Sequence, residues 1–251
     1  MEIFEDVVAE QDRLETILTG LSPAAWLTES GAAGWTVADV VLHLAQSDEA
    51  VVAATSSDQQ NNGGDQSAVF GGTLDRGTVD KAVDALVQAE RSTPTVVFDR
   101  WRAARRASVD ALRQADPGRP LRWVATSLKP STLATTRLAE HWAHGLDITV
   151  PLGIPFPDTE RLRHIAWLAH STLPYAFAVA GEQQRPEVFC ELIGLDGQVW
   201  RYGPETAEST ISGPAAAFCR VGARRLAPEE SGLAVTGPQG ATALRLLRNY
   251  A

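Results

Sequence analysis

Four stretches within the first 150 residues place apolar side chains at intervals of three and four positions. This spacing is typical of amphipathic helices that turn their apolar sides toward a shared core. The stretches cover residues 3–21, 36–55, 78–115 and 131–150. Because loops of moderate length join them, the sequence predicts a four-helix bundle.

Local signals refine the ends of these helices. Thr36 and, three positions later, Asp39 nearly match a capping box and predict the start of the second helix. Pro94 is predicted to begin or kink the third helical region, because proline lacks the backbone N–H that a helix interior needs. Residues 56–72 are rich in glycine, asparagine and glutamine without periodicity, which predicts a loop.

The pattern changes after "PLGIPFPD", residues 151–158, which contains three prolines and a glycine. We interpret this stretch as a linker and predict two domains, residues 1–150 and 151–251. The second part predicts one helix to about Ala180, a hairpin around Asp196-Gly197 with a two-residue turn, and short strands in "STISG" and "GLAVTG". Helices are expected after Pro214 and at the end of the chain. The predicted fold class is therefore α plus α+β: a four-helix bundle followed by a smaller α+β domain.

Composition narrows the classes of partner. The net charge is −9, which argues against a nucleic-acid-binding protein. No stretch reaches the roughly 18–20 apolar residues that span a bilayer, and the chain begins without a signal-peptide pattern. Two distant cysteines suit a reducing compartment. We expect a cytoplasmic monomer or homodimer that acts on a small molecule, with no nucleic acid or membrane partner.

One arginine-rich stretch, "RWRAARR" from Arg100 to Arg106, stands out against this acidic background. It is interpreted either as a solvated helix face or as an anion-binding patch.

The fourth helix carries a polar stripe. At about 100° per residue, Arg137, Glu140, His144 and Asp147 fall on one arc, whereas His141 points away from it. Glu140 and His144 are one turn apart, a spacing that lets two side chains bind one metal ion. The stripe could equally face water.

The second helix offers a third ligand. His43 borders its apolar side, and in a bundle it could lie opposite Glu140 and His144. Two imidazoles and a carboxylate with an open position form the ligand set of catalytic zinc, and related sets bind ferrous iron or nickel. A histidine beside an apolar face is also often a hydrogen-bonded core residue.

The stretches "GWTVADVVLHLA" and "RLAEHWAHGLDI" resemble the DinB-like, mycothiol-dependent maleylpyruvate isomerase superfamily of actinobacteria. The resemblance implies a metal-binding four-helix bundle followed by an α+β domain similar to sterol carrier proteins. It also implies that His43, Glu140 and His144 are the metal ligands. In the isomerase an arginine of the second domain assists catalysis; here Arg220 and Arg224, with Arg225 beside them, are the candidates.

For function, the resemblance implies a metal-dependent transferase or isomerase that uses a thiol, mycothiol, on a small electrophilic metabolite. The expected metal is Zn²⁺, with Ni²⁺ or Fe²⁺ as alternatives. Two other classes stay open: a thiol-independent Lewis-acid enzyme of secondary metabolism (cyclase, hydrolase or lyase) and a non-catalytic ligand-binding protein.

Four neighbouring residues have two interpretations each. Asp39 and Asp147 either orient His43 and His144 or are helix caps or solvated surface residues. Trp35 and Trp142 either wall the site or belong to the core.

Overall fold

The computed structural model describes residues 3–60, 76–123, 126–182 and 187–249. It divides into two compact units, Met1–Phe156 and Pro157–Ala251. The predicted fold class, α plus α+β, is confirmed. Whether the two parts are independent domains stays a prediction.

The described part of the first unit consists mainly of helices and includes a small hairpin between the last two of them. Its elements are α1 (Ile3–Thr19), α2 (Pro23–Trp26), α3 (Val37–Gln60), α4 (Arg76–Ala89), α5 (Pro94–Gln114), β1 (Leu121–Trp123), β2 (Thr126–Leu128) and α6 (Pro130–Thr149). The long helices pack as α3 against α5 and α1 against α6. Their apolar sides meet in a core that includes Leu14, Val40, Leu44, Trp101 and Ile148.

Two local predictions about the helices are confirmed. Thr36 and Asp39 form a reciprocal capping box: the Thr36 N–H donates to Asp39 Oδ2 at 2.9 Å, and the Asp39 N–H donates to Thr36 Oγ1 at 3.2 Å. Pro94 is the first residue of α5, where its missing N–H costs nothing.

Two other predictions in this unit were wrong, and one element was not predicted. The third helical region is two helices, α4 and α5, separated by residues 90–93. Residues 56–60 of the predicted loop belong to α3, and residues 61–72 lie outside the described ranges. The antiparallel β1–β2 hairpin, which pairs Leu121 with Leu128, was not predicted, because strands of three residues are too short to show alternation.

Three arginines of the arginine-rich stretch bind carboxylates of neighbouring helices, whereas Arg106 is exposed. Arg100 bonds to Glu49 on α3, and Arg102 bonds to Glu15 on α1. Arg105 pairs with Asp12 at 2.9 Å and also contacts Glu15. The stretch therefore ties α5 to its neighbouring helices.

The second unit is an α+β arrangement. It contains α7 (Leu162–Ser171), α8 (Leu173–Val179), β3 (Val188–Ile193), β4 (Val199–Tyr202), β5 (Ser209–Pro214), α9 (Ala215–Gly222), β6 (Ala234–Thr236) and α10 (Gly240–Leu246). The sheet order is β4-β3-β5-β6, with β3 and β5 parallel and the other pairs antiparallel.

Two predictions in the second unit need correction. The helix expected to run to about Ala180 breaks at Thr172, because Pro174 cannot donate a backbone hydrogen bond in the first turn of α8. The β3–β4 hairpin turns through three residues, 195–197, rather than two: Gly194 and Gln198 still pair, and Gly197 adopts φ +80°.

Both cysteines are buried and free. Burial raises the pKa of Cys190 to about 12 and also raises the pKa of Cys219. They behave as small apolar residues. Among the described helices, none combines the length and apolarity needed to cross a membrane.

Candidate metal centre

Helix α6 carries its polar stripe inside the first unit. Arg137 and Asp147 are only 4% and 3% exposed, so the alternative in which this stripe faces water was wrong. Glu140 and His144 lie between these two residues on the helix, one turn apart, and both are partly buried. The helix is enclosed on nearly every side, which is why its hydrophobic pattern is weak on its own.

Helix α3 brings His43 to the same place. Val40, Val41 and Leu44 are fully buried, and they fix the rotation of α3 so that His43 sits at the edge of its apolar side. His43 Nε2 lies 3.6 Å from Glu140 Oε2, and His144 Nε2 lies 3.4 Å from the same oxygen. One ligand atom from each of the three residues lies within 4.8 Å of the others.

These distances suit a metal ion. Zinc binds imidazole nitrogen and carboxylate oxygen at about 2.0–2.2 Å, so two ligand atoms on a tetrahedral ion lie about 3.4 Å apart. The two distances to Glu140 Oε2 agree with that separation. Two nitrogen donors and one oxygen donor leave a position open for a further ligand.

Asp147 supports His144 from behind. Its Oδ2 lies 2.8 Å from His144 Nδ1, so it accepts a hydrogen bond from the Nδ1–H group and leaves Nε2 facing Glu140. The backbone of Gly31 holds this aspartate: the Gly31 N–H donates to the Asp147 carbonyl at 2.8 Å. A Cβ at position 31 would lie 3.1 Å from Asp147 Cα, so a larger residue there would crowd the Asp147 backbone. Of the two interpretations of Asp147, orientation of His144 is the one the geometry favours.

Asp39 has a different role. Its carboxylate accepts hydrogen bonds from Thr36 and from both Nε and Nη2 of Arg91, each arginine bond being 2.8 Å long. The capping interpretation of Asp39 therefore holds.

The two tryptophans also differ. The Trp35 ring lies 5.2 Å from the His43 ring, and its indole N–H donates to Asp84 on α4 at 2.9 Å. Trp35 is thus a wall of the site. Trp142 is 2% exposed and belongs to the core.

Burial and neighbouring charges shift the pKa values of all three candidate ligands. Burial lowers the pKa of His43. Burial alone would also lower the pKa of His144, but the Asp147 and Glu140 carboxylates outweigh it and raise that pKa. Burial alone would raise the pKa of Glu140, yet the two imidazoles hold it well below its ordinary value. Glu140 is therefore a carboxylate, the form that binds a cation.

His141 lies on the other side of α6, as predicted. It is fully buried, its Nδ1 lies 2.8 Å from the Arg137 carbonyl oxygen, and its Nε2 accepts from the Trp101 indole at 3.3 Å. Asp48 Oδ2 lies 3.3 Å from the same Nε2. Both ring nitrogens are engaged within the bundle core, so His141 takes no part in the centre.

The arginines predicted from the resemblance lie in the second unit. Arg220 donates from Nη1 and Nη2 to the two oxygens of Asp158, at 2.7 and 3.1 Å. Arg224 is exposed, has φ 63° and donates to the Arg245 carbonyl, and Arg225 bonds to the Ala223 carbonyl. A catalytic role for Arg220 or Arg224 stays a prediction.

Sequence reasoning missed several supporting residues. Gly31, Asp84 and Arg91 come from a loop, from α4 and from the segment after it, and none shows a local pattern that ties it to the site. Only their partners, which are distant in sequence, reveal their roles.

The sequence and the fold of this chain both match known proteins. A sequence model of the mycothiol maleylpyruvate isomerase N-terminal domain matches residues 7–149, which include His43, Glu140 and His144. Two uncharacterized proteins from two strains of Mycobacterium tuberculosis are each 33% identical over 215 residues, or 85% of this chain and 81% of the relative.

Two solved structures share the fold. The crystal structure of the mycothiol-dependent maleylpyruvate isomerase has a TM-score of 0.60 at 15% identity, covering 95% of this chain and 92% of that one. A histidine-to-alanine mutant of the isomerase gives 0.60 at 12% identity, covering 94% and 95%. Since the family match spans more than half of the sequence, the chain belongs to the mycothiol maleylpyruvate isomerase family, through its N-terminal domain.

Proposed function

We propose that the protein is a metal-dependent transferase or isomerase that joins a low-molecular-weight thiol, mycothiol in the first instance, to a small electrophilic metabolite. The observation that carries this proposal is the convergence of His43, Glu140 and His144 from two helices. Membership of the family supports the thiol chemistry. The mycothiol dependence and the maleylpyruvate substrate are named for the structural relative, and the substrate of this chain is a separate question.

His43, Glu140 and His144 would hold the ion, and Zn²⁺ is the metal that the donor set favours, with Ni²⁺ or Fe²⁺ as alternatives. A bound divalent cation would supply positive charge that stabilises a thiolate, the nucleophilic form of a thiol, at neutral pH. Asp147 keeps the His144 ring in one tautomer and one orientation. The Trp35 ring packs beside the His43 ring.

The two reaction types share a first step. Addition of the thiolate sulfur and a proton across an activated double bond gives a thioether, which is the transferase product. Loss of the same thiol after rotation about the new single bond returns the double bond with altered geometry, which is the isomerase product.

Metal analysis of the purified protein tests the centre. We expect about one metal ion per chain in the wild type and a loss of at least about tenfold in Glu140→Ala and His144→Ala, because each removes one of three ligands. His164→Ala, which alters a histidine of the second unit, is the matched control and should keep its metal. A wild type that binds no metal after supplementation with Zn²⁺, Ni²⁺ or Fe²⁺ would refute the centre.

Thiol dependence needs a second assay. The loaded protein should consume an electrophile such as a maleyl compound only when mycothiol is present, and Glu140→Ala should lose that activity. Turnover without any thiol would instead support the Lewis-acid class. Ligand affinity that survives removal of the metal, together with no turnover, would support a binding protein.

A further inference from the structure

The first unit buries an arginine, Arg137, whose guanidinium is only partly satisfied by the residues that the structure describes. Arg137 is 4% exposed, and its Nε and Nη1 atoms are buried without a hydrogen-bond acceptor in the described ranges. Arg105, which is 5% exposed, instead pairs with Asp12 and Glu15. Burying an arginine without an anion is unfavourable, so stability of the fold does not explain an arginine at this position.

Arg137 lies beside the candidate metal centre. On α6 it is one turn before Glu140 and two turns before His144, on the same arc of the helix. Its positive charge contributes to lowering the pKa of both His43 and Glu140, so its guanidinium is within electrostatic reach of both. Glu140 Oε2 itself lies 3.6 Å from His43 Nε2 and 3.4 Å from His144 Nε2, so it is engaged by the two imidazoles.

Trp123 holds the guanidinium in place. The Arg137 Cζ lies 5.2 Å from the centre of the Trp123 ring, at the end of β1. This cation–π contact orients the arginine without supplying the negative charge that would balance it. The β1–β2 hairpin thus positions a guanidinium whose Nε and Nη1 atoms have no acceptor among the described residues.

The charges around the site leave room for an anion. A divalent cation would be balanced by the carboxylates of Glu140 and Asp147, so Arg137 would leave the group with one positive charge. The chain as a whole carries −9, which makes this local excess distinctive. A planar guanidinium binds a carboxylate through paired hydrogen bonds, and this geometry favours carboxylates over neutral groups.

We propose that Arg137 binds a carboxylate of the electrophilic substrate and thereby selects acidic over neutral electrophiles. This inference rests on the proposed function, since the carboxylate belongs to the molecule that the thiol attacks. Arg137 is then a substrate-binding residue of the first unit, separate from the arginines at 220 and 224.

Calorimetric titration of metal-loaded protein tests the proposal, with succinate as the anionic probe and succinamide as its neutral counterpart. We expect Arg137→Met to weaken succinate binding at least about tenfold and to leave succinamide binding unchanged. Arg137→Lys should be intermediate, because it keeps the charge but not the paired donors. Arg113→Met, at an exposed arginine of α5, is the matched control and should match the wild type.

Thermal unfolding of the same variants separates this role from a structural one. Because Arg137→Met removes a buried cation without a balancing anion, its unfolding temperature should stay the same or rise. A lower unfolding temperature with unchanged succinate affinity would overturn the proposal and make Arg137 a structural residue.

The metal content of each sample keeps the two proposals distinct. A wild type that binds succinate through Arg137 but holds no metal would refute the metal centre and leave the anion site standing. Equal succinate affinity in wild type and Arg137→Met, with metal present in both, would overturn the anion site alone.

Discussion

At the scale of single residues, Asp147 links the candidate metal centre to the loop before α3. Its carboxylate bonds to His144 Nδ1, and its backbone carbonyl accepts from Gly31. An aspartate in this position sets which imidazole nitrogen carries the proton and how the ring is aimed. Its own placement therefore affects the metal site without direct contact with the ion.

Replacing Asp147 should weaken metal binding while leaving the three ligands present. We expect Asp147→Ala to reduce metal affinity about 10–100-fold, the usual cost of losing the partner of a ligating histidine. Competition with a chromophoric chelator measures the affinity. Asp110→Asn, at an exposed position of α5, should bind metal as the wild type does. Equal affinities in all three proteins would contradict an orienting role.

The ligands and Arg137 differ in how far the sequence could predict them. Glu140 and His144 could be predicted as a pair because their spacing on one helix is local geometry. The pairing of both with His43 required the bundle as a hypothesis. The contact of Arg137 with Trp123 could not be predicted, because Trp123 lies in a hairpin that shows no periodicity.

At the scale of elements, the start of α3 decides where His43 points. The capping box of Thr36 and Asp39 lies one turn before His43. Arg91, from the segment between α4 and α5, binds both oxygens of Asp39. The first turn of α3 is therefore fixed both by its own cap and by a neighbouring segment.

The pH dependence of stability tests this arrangement. Burial alone would raise the pKa of Asp39, but Arg91 and Thr36 outweigh it and lower the pKa. A carboxyl whose pKa is lower in the folded state stabilises the protein above its unfolded pKa, about 3.9, and loses that effect as pH falls through the folded value.

We therefore expect Asp39→Asn to lower the free energy of unfolding at pH 7 by about 1 kcal/mol, a modest figure because Arg91 is half exposed to solvent. The difference from wild type should shrink as pH falls below about 4. Urea denaturation at pH 7 and pH 3 measures both values. A difference that persists unchanged at pH 3 would show that the ionised carboxylate is not its source.

The helix boundaries that sequence patterns missed depend on contacts with residues distant in sequence. The capping box of α3 and the start of α5 at Pro94 depend on neighbouring residues and could be predicted. The break at Thr172 has a local cause in Pro174 and a tertiary one, because the Thr172 hydroxyl donates to the Arg248 carbonyl near the end of the chain. The gap between α4 and α5 is held by Arg91, whose partner is distant in sequence.

At the scale of the whole molecule, composition predicts that the first unit ends at residue 150, whereas packing extends it to Phe156. The prolines of residues 151–158 suggested a linker, yet residues 151–156 belong to the first unit. Phe156 is 9% exposed, and a Cβ at Gly145 would lie 2.5 Å from its Cζ. The guanidinium of Arg13 lies 3.6 Å from the centre of the same ring. A stretch that looks like a linker in composition thus contains a side chain packed against Gly145 of α6.

This packing predicts different behaviour for two fragments of the chain. We expect residues 1–156 to fold alone with one cooperative transition and to bind about one metal ion, because the helical core and all three ligands lie within them. A fragment of residues 1–150 lacks Phe156 and should lose about 2–4 kcal/mol of unfolding free energy, the range for deleting a large buried side chain. Chemical denaturation with metal analysis checks both fragments. Equal stability of the two would show that Phe156 does not anchor the segment, and failure of both to fold would show that the first unit depends on the rest of the chain.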